Sequence, residues 1–188
     1  MRKIERIFVH CTASNQKWGV EELLAEFKAK GWKNPGYHKV VTADGVVHQL
    51  LDLKDVSNGV YGYNSTAINI AYVGGIDGKG KPVDNRTEAQ KTTLRSLLIE
   101  LHRQYPHATI MGHRDIWGSD TRKWKKWCPC YDAKSEYKDI KIRDGSSNTD
   151  IRIICLQIVT FTKLNFKILL KMDIFVQNCL FLQHIPYY

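Results

Sequence analysis

A chain of 188 residues with 43% hydrophobic and 25% charged residues holds enough apolar material for one folded domain, which excludes a disordered polymer. Its net charge of +9 points to an anionic partner, such as a wall polymer, a lipid head group or nucleic acid. Five cysteines, at 11, 128, 130, 155 and 179, form an odd set without framework spacing, which argues against a disulfide scaffold and for a reducing compartment or a metal role.

Taken in order, residues 4–10 (IERIFVH) read as a first strand, rich in β-branched and aromatic residues. The apolar run at residues 7–9 is too short for a secretory signal, so no conventional export signal is expected. Residues 19–30 place Val20, Leu23, Leu24 and Phe27 at helical spacing, and Gly31 stops that helix. Asn34-Pro35-Gly36 is a turn. Residues 37–41 and 46–51 then form two strands around Ala43-Asp44-Gly45, a hairpin cue.

Residues 52–65 are a loop, and AINIAYV at 67–73 is a nearly all-apolar strand expected at the sheet centre. A polar loop at 74–85 leads to Thr87-Glu88-Ala89-Gln90, where Thr87 as N-cap and Gln90 complete a capping box. Leu94, Leu97, Leu98 and Leu101 give the following helix a buried stripe, and Pro106 ends it. A short strand at 109–111 runs into Gly112-His113. The sum is an α/β single domain with a central mixed β-sheet flanked by helices.

The pattern changes after about residue 140. Residues 141–188 form an atypical C-terminal extension, with six Lys/Arg against three Asp/Glu. Residues 151–188 are dense in Ile, Leu and Phe, without glycine. Lys163, Lys167, Lys171 and Asp173 interrupt the apolar run, which excludes an uninterrupted spanning helix. A basic amphipathic helix at 161–183 that lies on a membrane surface, a helix packed on the domain, and a non-native extension are the readings of this tail; the abrupt shift in composition fits the last best. The expected division is thus 1–140 as the functional domain and 141–188 as a tail of unassigned role.

Chemistry concentrates in residues 112–132, GHRDIWGSDTRKWKKWCPCYD, where His113 precedes Cys128 by 15 residues. Zinc takes histidine nitrogen and cysteine sulfur tetrahedrally, and a catalytic zinc keeps three protein ligands and an open position for water. His10, which ends the first strand, is the best third ligand. Lys123, Lys125 and Lys126 favour the thiolate that a metal needs. Pro129 biases Cys128 toward an extended conformation. Cys130, two residues on, is a rival ligand, because an extended segment points alternate side chains to similar sides. A zinc held this way brings the pKa of its water toward about 7 and polarises a carbonyl. Amide hydrolysis also needs an oxyanion stabiliser and a proton for the leaving amine, and Tyr37 and Lys126 are candidates for those catalytic tasks.

Read together, IFVHCTAS, GYHKVVTADG, GYNSTAINIAYVGGID, NRTEAQ, GHRD and KWCPCYDA resemble, in that order, the zinc-dependent N-acetylmuramoyl-L-alanine amidases. These are the type-2 amidases of phage lysozymes, related to peptidoglycan recognition proteins. The resemblance covers about residues 1–140. It implies zinc in a groove on one face of the sheet, with His10, His113 and Cys128 as metal ligands, Lys126 stabilising the oxyanion, and Tyr37 orienting water or helping proton transfer. It further implies cleavage of the amide between N-acetylmuramic acid and L-alanine in peptidoglycan, by a monomer made in the cytoplasm and acting on the wall after release.

Two segments depart from the family pattern. The loop that in many members carries a Trp-His or Ser-His pair reads Val56-Ser57-Asn58-Gly59-Val60, and Ile116-Trp117-Gly118 follows GHRD. The alternatives are a peptidoglycan-binding module without catalysis, which the presence of Cys128 disfavours, and a regulatory partner of RNA polymerase, for which no specific patch is visible. Direct binding of a specific nucleic acid rests on charge alone.

Overall fold

In the computed structural model the described residues are 2–140, so the extension at 141–188 and its expected helix at 161–183 lie outside them. Five strands form one sheet in the order β3-β2-β4-β1-β5, with β1 at Arg6–Cys11, β2 at Lys39–Val41, β3 at Val47–Gln49, β4 at Ala67–Tyr72 and β5 at Thr109–Gly112. β1, β2, β4 and β5 run parallel, and β3 pairs with β2 antiparallel through the turn at Ala43-Asp44-Gly45, so the sheet is mixed as expected. The strand expected at 37–41 begins only at Lys39, and the short α3, Ala133–Glu136, had no periodic signal to announce it.

The period-two alternation of strand side chains sorts the two faces. Ile7, Val9 and Cys11 of β1, with Ile68, Ile70 and Tyr72 of β4, meet Leu94, Leu97, Leu98 and Leu101 of α2, Glu88–Gln104. On the opposite face, Val40, Ala71 and Val73 meet Leu23 and Phe27 of α1, Val20–Ala29. His10 and Asn69 share this second face, the one that α1 covers only in part.

Both long helices are capped from their own sequence. Glu22 accepts the Gly19 N–H (2.9 Å) ahead of α1. At α2, Thr87 accepts the Gln90 N–H and Gln90 accepts the Thr87 N–H, each at 3.0 Å. Gln90 also donates to the Val41 and Val73 carbonyls (3.1 and 2.9 Å), so one fully buried amide caps the helix and fastens it to two strand ends. Arg86, just before α2, is buried between Asp84 and Glu136, its guanidinium 3.3 Å from the Tyr131 ring centre. That clamp ties α3 to the loop ahead of α2.

Candidate metal centre

The parallel topology brings the site together. β1 lies between β4 and β5, so the C-terminal ends of these strands open on one edge, where open α/β sheets place their ligands. His10 is the penultimate residue of β1, and His113 follows directly on β5 in a 3-10 turn, His113–Trp117. Their rings stand 4.9 Å apart, centre to centre, and Trp117 stacks on His113 at 5.6 Å. Both imidazoles are nearly buried, at 1% and 8% exposure.

Cys128 arrives from an irregular segment. It is held by the Arg114 N–H on its carbonyl (2.9 Å), by the Tyr72 hydroxyl on the Pro129 carbonyl (2.7 Å), and by the Cys11 N–H on its own Sγ (3.2 Å). The Cys128–Pro129 peptide is cis. Gly112 makes this approach possible: a Cβ there would lie 2.6 Å from Pro129 Cδ.

One donor atom from each of His10, His113 and Cys128 lies within 4.8 Å of the others, and Cys128 Sγ stands 3.6 Å from His10 Nδ1. Zinc bonds of about 2.3 Å to sulfur and about 2.0 Å to nitrogen, at the tetrahedral angle, set that edge near 3.5 Å. Burial, with Lys126 adding to it, lowers His10 to about 4 despite its bond to Asn69. His113 is lowered to about 3 by burial, His10 and Lys126. Both rings are therefore neutral near pH 7, the form that offers a lone pair to a metal. A backbone N–H on the sulfur suits a thiolate. The donor set fits a zinc ion.

These groups line a cavity of about 310 Å³ together with Tyr37, Lys126, Trp127 and Glu26. Tyr37 packs its ring 5.2 Å from that of His10 and points its hydroxyl at the Cys11 carbonyl (3.4 Å). Burial, then the Cys128 and Cys11 thiols, hold this hydroxyl well above its ordinary range, so it stays protonated. Lys126 is exposed on the cavity wall, where its charge reaches both imidazoles. All five residues expected at the site thus face one cavity.

Cys130 borders the same cavity, but its thiol is engaged with other groups. Its backbone takes φ +74°, and its thiol meets the Gly75 carbonyl (3.2 Å) and the Cys11 sulfur (3.7 Å). The three-residue donor cluster among the described residues does not include it.

Sequence reasoning missed the polar network behind His10. Asn69, Ser57 and His38 are all fully buried. Asn69 Oδ1 is 2.9 Å from His10 Nε2, its Nδ2 donates to Ser57 Oγ (2.8 Å), and its backbone N–H donates to His38 Nδ1 (2.9 Å). The available signal was one asparagine inside AINIAYV, since a polar group in a buried strand needs a partner.

Residues 1–131 match a protein family described as N-acetylmuramoyl-L-alanine amidase. The endolysin of Klebsiella phage KP32 is 42% identical over 135 residues, which cover 71% of this chain and 85% of the relative. The endolysin of Escherichia phage T7 is 39% identical over 132 residues, 69% and 83% of the two chains. Among solved structures, the N-acetylmuramoyl-L-alanine amidase LysC from Clostridium intestinale superposes with a TM-score of 0.59 at 22% identity, covering 74% of this chain and 83% of that one. Drosophila peptidoglycan recognition protein SA gives 0.56 at 15%, covering 74% and 80%. These two likenesses speak to the fold. With the family match and the phage relatives, they show that the chain belongs to the N-acetylmuramoyl-L-alanine amidases, enzymes that hydrolyse an amide of peptidoglycan.

Proposed function

We propose that the chain is a zinc-dependent, endolysin-like amidase that cuts between the lactyl group of N-acetylmuramic acid and L-alanine of the stem peptide. The observation that carries this reading is the convergence of His10, His113 and Cys128 on one point of the cavity wall. The assignment extends over residues 1–140. Bound there, zinc supplies Lewis acidity that polarises a carbonyl and acidifies water.

The chain's own groups do the rest. The neutral imidazoles and the sulfur would hold a zinc ion at the end of the sheet. Lys126, a fixed positive charge on the rim, faces the developing oxyanion of the scissile carbonyl. Tyr37 is a protonated donor beside His10, placed to orient water and to pass a proton toward the leaving amine. Trp127, half exposed beside Lys126, offers an aromatic face to the glycan or the peptide.

Digestion of purified wall followed by mass analysis of the products tests the bond. Stem peptides with a free L-alanine amino group and intact glycan strands are expected, together with about one zinc per chain and loss of activity to a chelator. Cut glycan strands with peptides still attached would overturn the assignment.

Lys126→Ala is expected to lower kcat roughly 10²-fold with little change in KM, because a charge facing the oxyanion acts mainly in the transition state. Steady-state kinetics on a soluble muropeptide separate the two constants. A raised KM at unchanged kcat would reassign Lys126 to ground-state substrate contact.

A further inference from the structure

We infer that Asn69 is the positioning residue of the metal centre: it fixes the Nε2-protonated tautomer of His10 and aims the Nδ1 lone pair at the point shared with Cys128 and His113, and Gly59 supplies the room for it. This inference rests on the ligand assignment above.

The orientation of the Asn69 amide follows from a backbone N–H group, which can only donate. The Val60 N–H donates to Asn64 Oδ1 (2.7 Å), which marks that atom as an acceptor. The end of the Asn69 amide beside it (3.4 Å) and beside Ser57 Oγ (2.8 Å) is then Nδ2. Its oxygen therefore faces His10, 2.9 Å from Nε2. An amide oxygen cannot donate, so Nε2 carries the proton. In a neutral imidazole the other nitrogen then holds the lone pair. That nitrogen, Nδ1, is the one 3.6 Å from Cys128 Sγ.

The amide is itself held from behind. The Asn69 N–H donates to His38 Nδ1 (2.9 Å), which also receives the Ser57 hydroxyl (3.2 Å), and His38 Nε2–H donates to the Asp55 carbonyl (3.1 Å). His10, Asn69, Ser57 and His38 are each at most 1% exposed, so bulk solvent does not reach these bonds. Gly59 closes the argument from the side of space. A Cβ there would fall 2.3 Å from Asn69 Cγ and 2.4 Å from Oδ1, so any side chain at 59 would evict the amide. An apolar residue at 69 would suit the strand between Ile68 and Ile70 better; the amide earns its place through His10.

The test is zinc affinity, read by competition with a chromophoric chelator. Asn69→Ala is expected to weaken zinc binding roughly 10–100-fold, while Asn69→Asp, which keeps an acceptor for Nε2–H, stays within roughly threefold of the parent. Nitrogen-15 NMR of the unaltered metal-free protein gives a second readout that needs no variant: His10 is expected as the Nε2–H tautomer. A proton on Nδ1, or unchanged affinity in Asn69→Ala, overturns the positioning role. His10→Ala and Cys128→Ser separate the two levels. If both variants bind zinc like the parent, the ligand assignment itself fails. If they lose zinc and Asn69→Ala does not, only the role of Asn69 falls.

Discussion

Cys128→Ser is expected to leave the fold intact and to lower amide hydrolysis at least about 10³-fold, since several kcal/mol of transition-state charge stabilisation depend on a held metal. Serine is nearly isosteric with cysteine, and its hydroxyl still accepts the Cys11 N–H that now meets the sulfur at 3.2 Å. A neutral hydroxyl, however, does not replace a thiolate on zinc. The packing around the residue survives, because Arg114 and Tyr72 grip backbone carbonyls at 128 and 129 and no side chain. Release of muropeptides from purified wall, alongside circular dichroism, measures both halves of the statement. Cys130→Ser is the matched control: its thiol meets Cys11 and Gly75, and activity is expected to persist. Parental lysis by Cys128→Ser with loss in Cys130→Ser would exchange their roles.

The second large effect is on stability in acid. Burial, with Lys126, lowers His10 to about 4; burial, then His10 and Lys126, lower His113 to about 3. In the unfolded chain both titrate near the ordinary value of about 6.5. Below that pH the unfolded state binds more protons than the folded one, so stability falls as pH falls toward the folded values. For the metal-free protein the loss between pH 6.5 and pH 4 is on the order of 5 kcal/mol, shared by the two rings. Urea unfolding at a series of pH values measures it. A His10→Gln, His113→Gln double variant is expected to flatten the slope over that window. A slope equal to the parent's would place the acid sensitivity in other groups.

Much of this architecture is legible in the residues themselves. IERIFVH and AINIAYV are strands because β-branched and aromatic side chains suit a sheet, and Leu94, Leu97, Leu98 and Leu101 set the face of α2. The Thr87–Gln90 capping box is local, so sequence alone finds it; that Gln90 also bonds the ends of two strands is not local and could not be read. The convergence of His10, His113 and Cys128 was expected from motif order. How Cys128 is delivered was not, because residues 118–132 lack any period and are placed by single contacts, such as the fit of Gly112 against Pro129. Cys130 is a rival to Cys128 only in an extended segment; a positive φ at 130 and its contacts with Cys11 and Gly75 keep it out of the donor cluster. Asn69 was hidden by its neighbours, since a hydropathy pattern averages over a lone polar residue.

The way Cys128 reaches the centre has a mechanical consequence. Its sulfur and the His10 ring are 118 positions apart along the chain, and only the former sits outside regular secondary structure. An ion gripped by both would close a covalent-like ring around most of the folded unit, and loops of that size gain a few kcal/mol against unfolding when they are cross-linked. Its removal would forgo that stabilisation while the segment around Cys128 keeps its own anchors, Arg114 on the Cys128 carbonyl, Tyr72 on the Pro129 carbonyl and Arg86 on the Tyr131 ring. Resistance to proteases and catalytic competence would then rise and fall together, with metal supply as their common control.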